Sequence, residues 1–247
     1  MDLGLTGRKA LVTGGTRGIG LAIARALAGE GAQVAVAART PSDVQRVASE
    51  LGGSGVAADL TTQEGCLAVL DAFGEPAVLV NNLGLRAGSS WQDTGVDELH
   101  VAMAGNLFPA VRLTRLALPS MRRAGWGRIV VVSSLFGREA GGAPAYNAAK
   151  AAEISFVKSL AREVGRDGVT VNSVAPGSIL FEGGSWWRRQ QADPEGIASF
   201  VERELPLGRF GVPEEVAAVV AFLCSAQASL VTGACWVVDG AQGRSNI

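Results

Sequence analysis

Short apolar runs alternate along this chain with segments long enough to form helices, and that alternation constrains the fold more than any other feature. The runs are continuous rather than interrupted by polar residues, which indicates strands buried on both faces of a parallel sheet. The intervening segments have the length of crossover helices. The sequence therefore predicts one doubly wound α/β domain spanning residues 1–247. Its seven strands are predicted at residues 10–13, 34–38, 56–58, 78–80, 129–133, 169–174 and 235–238.

Composition excludes several classes of function. The formal net charge is -1, so no global field draws the protein to nucleic acid or to an anionic membrane. The three cysteines are far apart and form no CxxC pair, which is typical of reduced thiols in the cytoplasm. No secretory signal or membrane-spanning run is present, and the sole histidine, His100, has no partner at metal-ligand spacing. We expect a cytoplasmic protein with no metal, nucleic-acid or membrane partner.

A glycine-rich turn follows the first predicted strand and opens a helix predicted at residues 19–29. Such a turn lets the backbone approach a pyrophosphate, and the helix N-terminus offers free N–H groups and a positive dipole end. Glycines also occur at strand–helix corners for purely conformational reasons, but the strand before and the helix after favour nucleotide binding. The candidate contacts are Gly14, Thr16, Arg17, Gly18, Ile19 and Gly20.

The end of the second strand bears on the choice of nucleotide. An acid at this position usually binds the ribose 2′-hydroxyl of NAD, whereas here the chain reads Ala38-Arg39. Arg39, with Arg17 in the glycine turn, could hold a 2′-phosphate instead. The alternative is that both arginines are ordinary solvated charges. NADP(H) is therefore favoured over NAD(H).

Tyr146 and Lys150 stand four residues apart in a predicted helix, so their side chains share one face. An ammonium group beside a phenol favours the phenolate. A phenol in that setting can donate a proton to a carbonyl oxygen, or accept one from an alcohol, near neutral pH. The spacing is common on exposed helices, so the pair gains its meaning from the rest of the chain.

Together these features resemble the short-chain dehydrogenase/reductase family over nearly the whole chain, in the branch that contains 3-oxoacyl-carrier-protein reductases. Further segments that match, in the family's order, are Asp59-Leu60, Asn81-Asn82-Leu83-Gly84, Asn106, Ser134, and residues 172–177, 206–211 and 238–240. The match is incomplete, because Leu83 replaces the usual alanine and no threonine follows Ile179 at the family's position.

The resemblance implies a Rossmann-type fold, a homotetramer, and hydride transfer between a nicotinamide and a carbonyl or secondary alcohol carbon. It implies that Tyr146 is the general acid in reduction, assisted by Lys150, that Ser134 donates to the carbonyl oxygen, and that Asn106 holds a water beside Lys150. Ser133 is the alternative to Ser134, since adjacent strand residues point to opposite faces. The further cofactor contacts implied are Arg39, Asp59, Leu60, Asn82, Gly84, Tyr146, Lys150, Pro176, Gly177 and Ile179.

Residues 180–206 contain no predicted strand, and we interpret this long insertion as a substrate lid. Its aromatic residues Phe181, Trp186 and Trp187 are candidate substrate contacts beside Ser134 and Tyr146. Equally, one tryptophan could cap the core.

Three functions fit these features. The first is NADPH-dependent reduction of a ketone, either a 3-oxoacyl group or a secondary metabolite. The second is an NAD(P)-dependent alcohol or polyol dehydrogenase that runs oxidatively, and the third is a non-catalytic NADP(H)-binding sensor. A carrier-protein substrate would need a basic surface. The candidates are Arg122, Arg123, Arg128, Arg162 and Arg166, but Asp167 counts against it.

Overall fold

The structure, a computed structural model, describes residues 2–246 and contains one parallel sheet of seven strands. The predicted fold class is confirmed. The strands lie in the order β3-β2-β1-β4-β5-β6-β7. Their bounds are β1 Lys9–Thr13, β2 Gln33–Ala38, β3 Ser54–Ala57, β4 Val78–Asn81, β5 Gly127–Val132, β6 Val169–Pro176 and β7 Cys235–Val238.

Helices cover both faces of the sheet. Helices α1, α2 and α9 pack on one face, and α3, α5 and α6 pack on the other. Their bounds are α1 Gly18–Gly29, α2 Pro41–Leu51, α3 Gln63–Phe73, α4 Val96–Gly105, α5 Leu107–Ala124, α6 Pro144–Val164, α7 Ser185–Ala192, α8 Pro194–Glu204 and α9 Pro213–Cys224.

The inner strands β1, β2, β4, β5 and β6 are buried on both faces, whereas the edge strands β3 and β7 are partly exposed. In β1, Val12 faces the core beneath α1 and α9, while its neighbour Leu11 faces the core beneath α5 and α6. The same alternation continues in β4, where Val80 and Leu79 are fully buried on opposite faces. Burying a side chain of this size contributes about 1.5–3 kcal/mol, so these two cores are the main support of the fold.

The sheet order reverses between β1 and β4, and this reversal opens a crevice at the carboxyl ends of the strands. The two strands are joined at that edge by the residue that follows β4. The backbone N–H of Asn82 donates to Thr13 Oγ1 at 2.9 Å, and the Asn82 side chain donates to the Thr13 carbonyl oxygen at 3.1 Å. The fold thus fixes the floor of the crevice with side chains at strand ends.

Segment 180–206 contains two helices, α7 and α8, and no strand. An aromatic cluster joins them: Trp186 stacks on Phe200 with ring centroids 4.5 Å apart, and Phe210 lies 5.3 Å from Trp186. The segment is therefore a packed helical unit with its own small core. Its role as a lid stays a prediction.

The C-terminal tail lies against the segment that precedes α6. Glu139 accepts hydrogen bonds from the backbone N–H groups of Arg244 and Ser245, at 2.9 and 3.0 Å. The Arg244 guanidinium also lies 3.5 Å from the Glu204 carboxylate at the end of α8. The tail consequently connects the loop before α6 with the two-helix unit.

No helix within residues 2–246 combines the length and the apolar character that crossing a bilayer requires.

Candidate active site

The glycine turn between β1 and α1 presents an uncapped helix N-terminus to the crevice. Helix α1 begins at Gly18, and the preceding residue, Arg17, makes no side-chain capping bond. The first N–H groups of the helix are therefore available to an anion. Gly18 has φ +53°, a conformation that disfavours other residues, and a Cβ there would lie 2.6 Å from the Phe181 ring. Phe181 thus packs directly on the turn.

Gly20 is required by a close approach between α1 and the crevice floor. A Cβ at Gly20 would overlap the Gly14 carbonyl oxygen and the Asn82 side-chain nitrogen. That nitrogen donates to the Gly14 carbonyl oxygen at 3.2 Å, so the contact ties the turn to the end of β4. Sequence reasoning placed Gly14, Gly20 and Asn82 at one site, and the structure brings them into contact.

Positive charge surrounds the corner between the glycine turn and β2. Arg39 follows β2 and is exposed, as is Arg17. The pKa of Asp59 is lowered, first by hydrogen bonds from Thr61 and then by the charge of Arg39, so Arg39 faces the loop after β3. Leu60, the next residue, is buried in the core rather than open to the crevice.

Sequence reasoning missed a third cation at this corner. The Arg46 guanidinium, on α2, donates to the Thr16 carbonyl oxygen at 3.3 Å. Arg46 also lies 3.7 Å from Asp43 and 3.8 Å from Glu50, so part of its charge is balanced. Arg46 lies 30 residues from Thr16 along the chain, so the sequence gave no indication of this contact.

Tyr146 and Lys150 lie on the first turns of α6, as predicted, with the Lys150 ammonium 5.8 Å from the centroid of the Tyr146 ring. The Lys150 side chain is only 2% exposed. Its ammonium donates to the Val132 carbonyl oxygen at 3.0 Å and to the Leu83 carbonyl oxygen at 3.4 Å. The lysine therefore spans from α6 to the carboxyl ends of β5 and β4.

A buried carboxylate completes the surroundings of this lysine. Both Glu153 oxygens lie 3.1 Å from Lys150 Nζ, and the Glu153 side chain is 1% exposed. Burial raises the pKa of Glu153 to about 7, against the opposing attraction of Lys150. Sequence reasoning did not identify Glu153. The signal was its spacing of three residues from Lys150, which places the two on one face of the helix.

Asn106 interrupts the helix between α4 and α5, with φ -121° and ψ -71°. Its side-chain nitrogen donates to the carbonyl oxygens of Ala102 and Leu85, and its oxygen accepts from the Leu85 N–H. A Cβ on Gly84 would lie 3.8 Å from Asn106 Oδ1 and 4.0 Å from Lys150 Nζ. Gly84 therefore marks a point that Asn106 and Lys150 both face. The water-holding role of Asn106 stays a prediction.

The two adjacent serines have different partners. Ser133 donates to the Lys150 carbonyl oxygen at 2.8 Å, so its hydroxyl fastens α6 to the end of β5. Ser134 precedes the short 3-10 turn Leu135–Gly137, and its oxygen accepts from the Phe136 N–H at 3.2 Å. That bond leaves the hydroxyl hydrogen of Ser134 free to donate. This arrangement favours Ser134 over Ser133 as the donor to a substrate.

The segment after β6 borders the crevice on the other side. Pro176 ends β6, and the Gly177 N–H donates to the Val238 carbonyl oxygen at 3.1 Å. Ile179 is 7% exposed and joins the core beneath α1 and α9. The contact of Pro176, Gly177 and Ile179 with a cofactor stays a prediction.

The three aromatic candidates for substrate binding are not brought together. Phe181 lies on the glycine turn, and the Trp186 ring is engaged by Phe200 and Phe210. Trp187 is half-buried. The neighbouring Arg188 donates to the Gly183 carbonyl oxygen and so braces the start of α7. The packing of Trp186 corresponds to the alternative in which one tryptophan caps a core.

A cavity of about 670 Å³ lies between α8 and segment 208–212, apart from the predicted catalytic residues. None of those four residues lines it in the described part of the chain. Its apolar walls include Leu180, Ile197 and Phe210, which belong to the core of the two-helix unit. We assign the chemistry to the crevice because the proton-transferring groups lie there.

Sequence reasoning also missed a cation beside the candidate phenol. The Arg86 guanidinium lies 5.3 Å from the centroid of the Tyr146 ring, and Arg86 is exposed. Arg86 comes two residues after Gly84, in the segment that Asn106 holds through Leu85. In the sequence, Arg86 follows the segment that ends at Gly84 and matches the family, and this proximity could have indicated a place near the site.

The crevice fits a dinucleotide on the evidence of its own residues. A glycine turn too close-packed for side chains leads into an uncapped helix, arginines gather at one end, and a buried lysine lies at the other. Among residues 2–246, no group of three or more His, Cys, Asp and Glu side chains could hold a metal ion. His100 is exposed and packs edge-on against Phe108.

These features define a doubly wound α/β protein with a dinucleotide crevice. A family model described as enoyl-(acyl carrier protein) reductase matches residues 14–241. The chain belongs to the short-chain dehydrogenase/reductase family, and it is an oxidoreductase.

Similar proteins cover nearly the whole length of the chain. It is 40% identical over 245 residues to the 3-oxoacyl-[acyl-carrier-protein] reductase FabG of Vibrio cholerae, covering 96% of this chain and 98% of that protein. It is 36% identical over 252 residues to D-beta-hydroxybutyrate dehydrogenase of Cupriavidus necator, again covering 96% and 98%. The crystal structure of L-sorbose reductase from Gluconobacter frateurii complexed with NADPH and L-sorbose matches with a TM-score of 0.93 and 33% identity, over 99% of this chain and 100% of that one.

Replacing Gly20 by alanine tests the close approach at the glycine turn. We expect Gly20→Ala to weaken dinucleotide binding about tenfold or more, because the added methyl group displaces Gly14 and Asn82. The measurement is a fluorescence titration with NADPH. Gly29→Ala is the matched control, since it lies on the same helix and its Cβ would meet nothing within 4 Å. Equal affinity of both variants and the wild type would contradict the assigned contact.

Proposed function

We propose that the protein reduces a ketone to a secondary alcohol with NADPH, and that the ketone is a 3-oxoacyl group. The observation that carries the proposal is the pairing of the Tyr146 phenol with a buried ammonium, Lys150, in a dinucleotide crevice. A phenol held in that field can transfer a proton to a carbonyl oxygen. The similarity to a 3-oxoacyl-[acyl-carrier-protein] reductase supports the choice of ketone.

Each side chain of the site has a distinct task in this proposal. Bound NADPH supplies the hydride. Ser134 donates its free hydroxyl hydrogen to the carbonyl oxygen, where negative charge develops, and Tyr146 delivers the proton to that oxygen. Lys150 favours the phenolate that remains, because its ammonium stays fixed to two backbone carbonyl oxygens. Asn106 holds the loop at Leu85 in place on the same side.

The lid interpretation of segment 180–206 gains support from Phe181. Because Phe181 packs on Gly18, any movement of the segment moves a ring against the glycine turn. We propose that the segment closes over the crevice when cofactor and substrate are bound. Substrate contact through Trp187, and through Trp186 after any rearrangement of its aromatic cluster, belongs to this proposal.

Removing the phenolic hydroxyl tests the proton transfer. We expect Tyr146→Phe to lower kcat for reduction of a 3-oxoacyl thioester about 100-fold or more, the usual contribution of a general acid. Binding of NADPH, followed by fluorescence, should persist. Unchanged turnover by this variant would exclude Tyr146 as the acid.

The cofactor proposal rests on the charge at the end of β2. The three cations at this corner, Arg17, Arg39 and Arg46, suit a 2′-phosphate, and no carboxylate stands where one would bind a 2′-hydroxyl. NADPH is also the nucleotide in the complex of the L-sorbose reductase.

Charge reversal at Arg39 tests this preference. We expect Arg39→Asp to weaken NADPH binding about tenfold or more, through loss of a charge-assisted bond, and to leave NADH binding unchanged or improved. Arg166→Asp makes the same charge change at an exposed site after α6 and serves as the control. Equal loss of both nucleotides, or wild-type preference for NADH, would contradict the assignment.

The substrate proposal draws on Arg86. A 3-oxoacyl group carries a second carbonyl oxygen close to the ketone that is reduced. With its guanidinium beside the Tyr146 ring, Arg86 can donate to that second oxygen while Tyr146 serves the ketone. A ketone with no second oxygen cannot form this hydrogen bond with Arg86.

Truncation of Arg86 separates these substrates. We expect Arg86→Ala to lower kcat/KM about tenfold for a 3-oxo ester, because a hydrogen bond to a charged donor is lost, and to leave a simple cyclic ketone nearly unaffected. Arg166→Ala provides a control at an exposed position after α6. Equal losses for both ketones would remove Arg86 from substrate recognition.

A second candidate is the reverse reaction on a hydroxy acid, as an NAD(P)-dependent dehydrogenase. The similarity to D-beta-hydroxybutyrate dehydrogenase favours it, and the Arg86 cation could equally pair with a carboxylate. A polyol is less favoured, because it offers Arg86 no carbonyl or carboxylate oxygen. The non-catalytic sensor is set aside, because the chain is an oxidoreductase by family.

Three of the five arginines considered for carrier-protein docking are paired or buried, so these three do not form a free basic surface. Arg122 pairs with Asp167 at 2.7 Å and with Glu163 at 3.2 Å, and Arg123 pairs with Glu75. Arg128 is 3% exposed and donates to the Ser225 carbonyl oxygen. We therefore propose an acyl ester or small thioester as the substrate, rather than an acyl group docked on a carrier through these residues.

Two further proposals concern the oligomeric state of the protein and its cellular compartment. The exposed apolar side chains Val96 and Val101 on α4, and Val237 on β7, support pairing of subunits through these elements in a homotetramer. The three free cysteines, of which Cys66 and Cys224 are buried, support a reducing compartment such as the cytoplasm.

A further inference from the structure

The buried pair formed by Lys150 and Glu153 has no task in the mechanism proposed above. Glu153 is among the largest side chains that are fully buried, and so is Lys150. An ionised carboxylate is costly to bury, and it is retained in a core only where its charge and hydrogen bonds are compensated. Here the compensation comes from the lysine on which proton transfer depends.

The contact is well defined by geometry. Both Glu153 oxygens lie 3.1 Å from Lys150 Nζ, and the pair is spaced i, i+3 on α6. The other two ammonium contacts are carbonyl oxygens, Val132 at 3.0 Å and Leu83 at 3.4 Å. Glu153 is therefore the one charged group that holds this ammonium within residues 2–246.

Two neighbouring groups stabilise the ionised form of Glu153. On the same helix, the Lys150 ammonium donates to both Glu153 oxygens. The Ser133 hydroxyl, which follows β5, also lowers the pKa of Glu153. Helix α4 packs against α6 through the apolar residues Leu99, Ala102 and Met103. The centroid of the Tyr146 ring lies 5.8 Å from Lys150 Nζ, and the Arg86 guanidinium lies 5.3 Å from the same centroid.

We propose that Glu153 is a positioning residue for proton transfer: its carboxylate fixes the Lys150 ammonium and offsets part of that charge, so Glu153 sets the pH range in which the Tyr146 phenol gives up its proton. A carboxylate paired with the ammonium opposes the attraction that the phenolate experiences. Removing that negative charge leaves the ammonium uncompensated, and the phenol then ionises at lower pH.

The sign follows from the ionisation of Glu153 itself. Burial raises the pKa of Glu153 to about 7, so the carboxylate is ionised at higher pH and neutral at lower pH. The Glu153 oxygens lie 3.1 Å from the ammonium, which itself lies 5.8 Å from the ring centroid. At an effective dielectric constant of about 20, a charge this near changes the midpoint of phenol ionisation by about one pH unit.

The chain contains a single tyrosine, which makes the test direct. Near-ultraviolet absorbance of tyrosinate in the cofactor-free protein reports Tyr146 alone, and the five tryptophans do not titrate. We expect Glu153→Gln to move the midpoint down by about one pH unit relative to the wild type. Glu163→Gln, on the same helix with an exposed side chain, should leave it in place.

The rate of reduction provides a second readout, which rests on the proposed function. Reduction requires a protonated phenol, so the fall of kcat/KM at high pH should begin about one pH unit lower in Glu153→Gln. A shifted absorbance titration without any ketone reductase activity would support the role of Glu153 while refuting the proposed substrate. The two proposals can therefore fail separately.

Two results would overturn the proposal. One is an unchanged titration midpoint in a folded Glu153→Gln protein. Since an unpaired polar group in a core can prevent folding, Glu153→Leu is the second variant, with the same downward shift expected. Failure of both variants to fold, with Glu163→Gln folding normally, would assign Glu153 to core stability alone.

Discussion

The buried ammonium of Lys150 is the constraint on which the candidate active site depends. A charge that is 2% exposed must be held by polar groups from its surroundings, and here those groups come from three elements. The Val132 carbonyl oxygen ends β5, the Leu83 carbonyl oxygen follows β4, and Glu153 lies on α6 itself. The hydrogen bonds of the Lys150 ammonium therefore form only when the sheet edge and the helix meet in one arrangement.

That requirement explains several neighbouring features. The hydroxyl of Ser133 binds the Lys150 carbonyl oxygen and fixes the helix to the end of β5, which leaves Ser134 to face the crevice. Gly137 lies so close that a Cβ there would come within 2.7 Å of the same carbonyl oxygen. The helix that carries the phenol is thus held at its catalytic turn rather than by general packing alone.

The two-helix unit formed by α7 and α8 is linked to both the glycine turn and the C-terminal tail. Phe181 connects the two-helix unit to the glycine turn. The C-terminal tail connects the loop before α6 to the end of α8, through Glu139 and Glu204. Hydrogen bonds and ion pairs at exposed positions are weak, so these links hold the tail less firmly than the buried cores hold the sheet.

Much of the fold was predictable from the sequence, because buried parallel strands require continuous apolar runs and a glycine turn allows few alternatives. The strand predicted to end at residue 133 ends at Val132. The Ser133 N–H still donates to the Val174 carbonyl oxygen of β6, while its hydroxyl binds α6. Proximity of Tyr146 to Lys150 followed from helical spacing alone.

The residues that sequence reasoning missed are those whose role depends on tertiary contact. Arg46 and Arg86 look like ordinary surface charges, and only the folded chain brings one to the glycine turn and the other to the phenol. Glu153 differs from these two arginines, because it is a charged residue on α6 whose side chain is buried in the core. For Trp186, the pattern could not distinguish a substrate contact from the packing that the structure shows.

The most direct test of the account is an absorbance titration of the single tyrosine in the wild type and in Lys150→Met. The account predicts that the tyrosinate forms at clearly higher pH in the variant, because the phenolate loses the ammonium that favours it. Identical titration curves would contradict the central claim that this buried charge prepares Tyr146 for proton transfer.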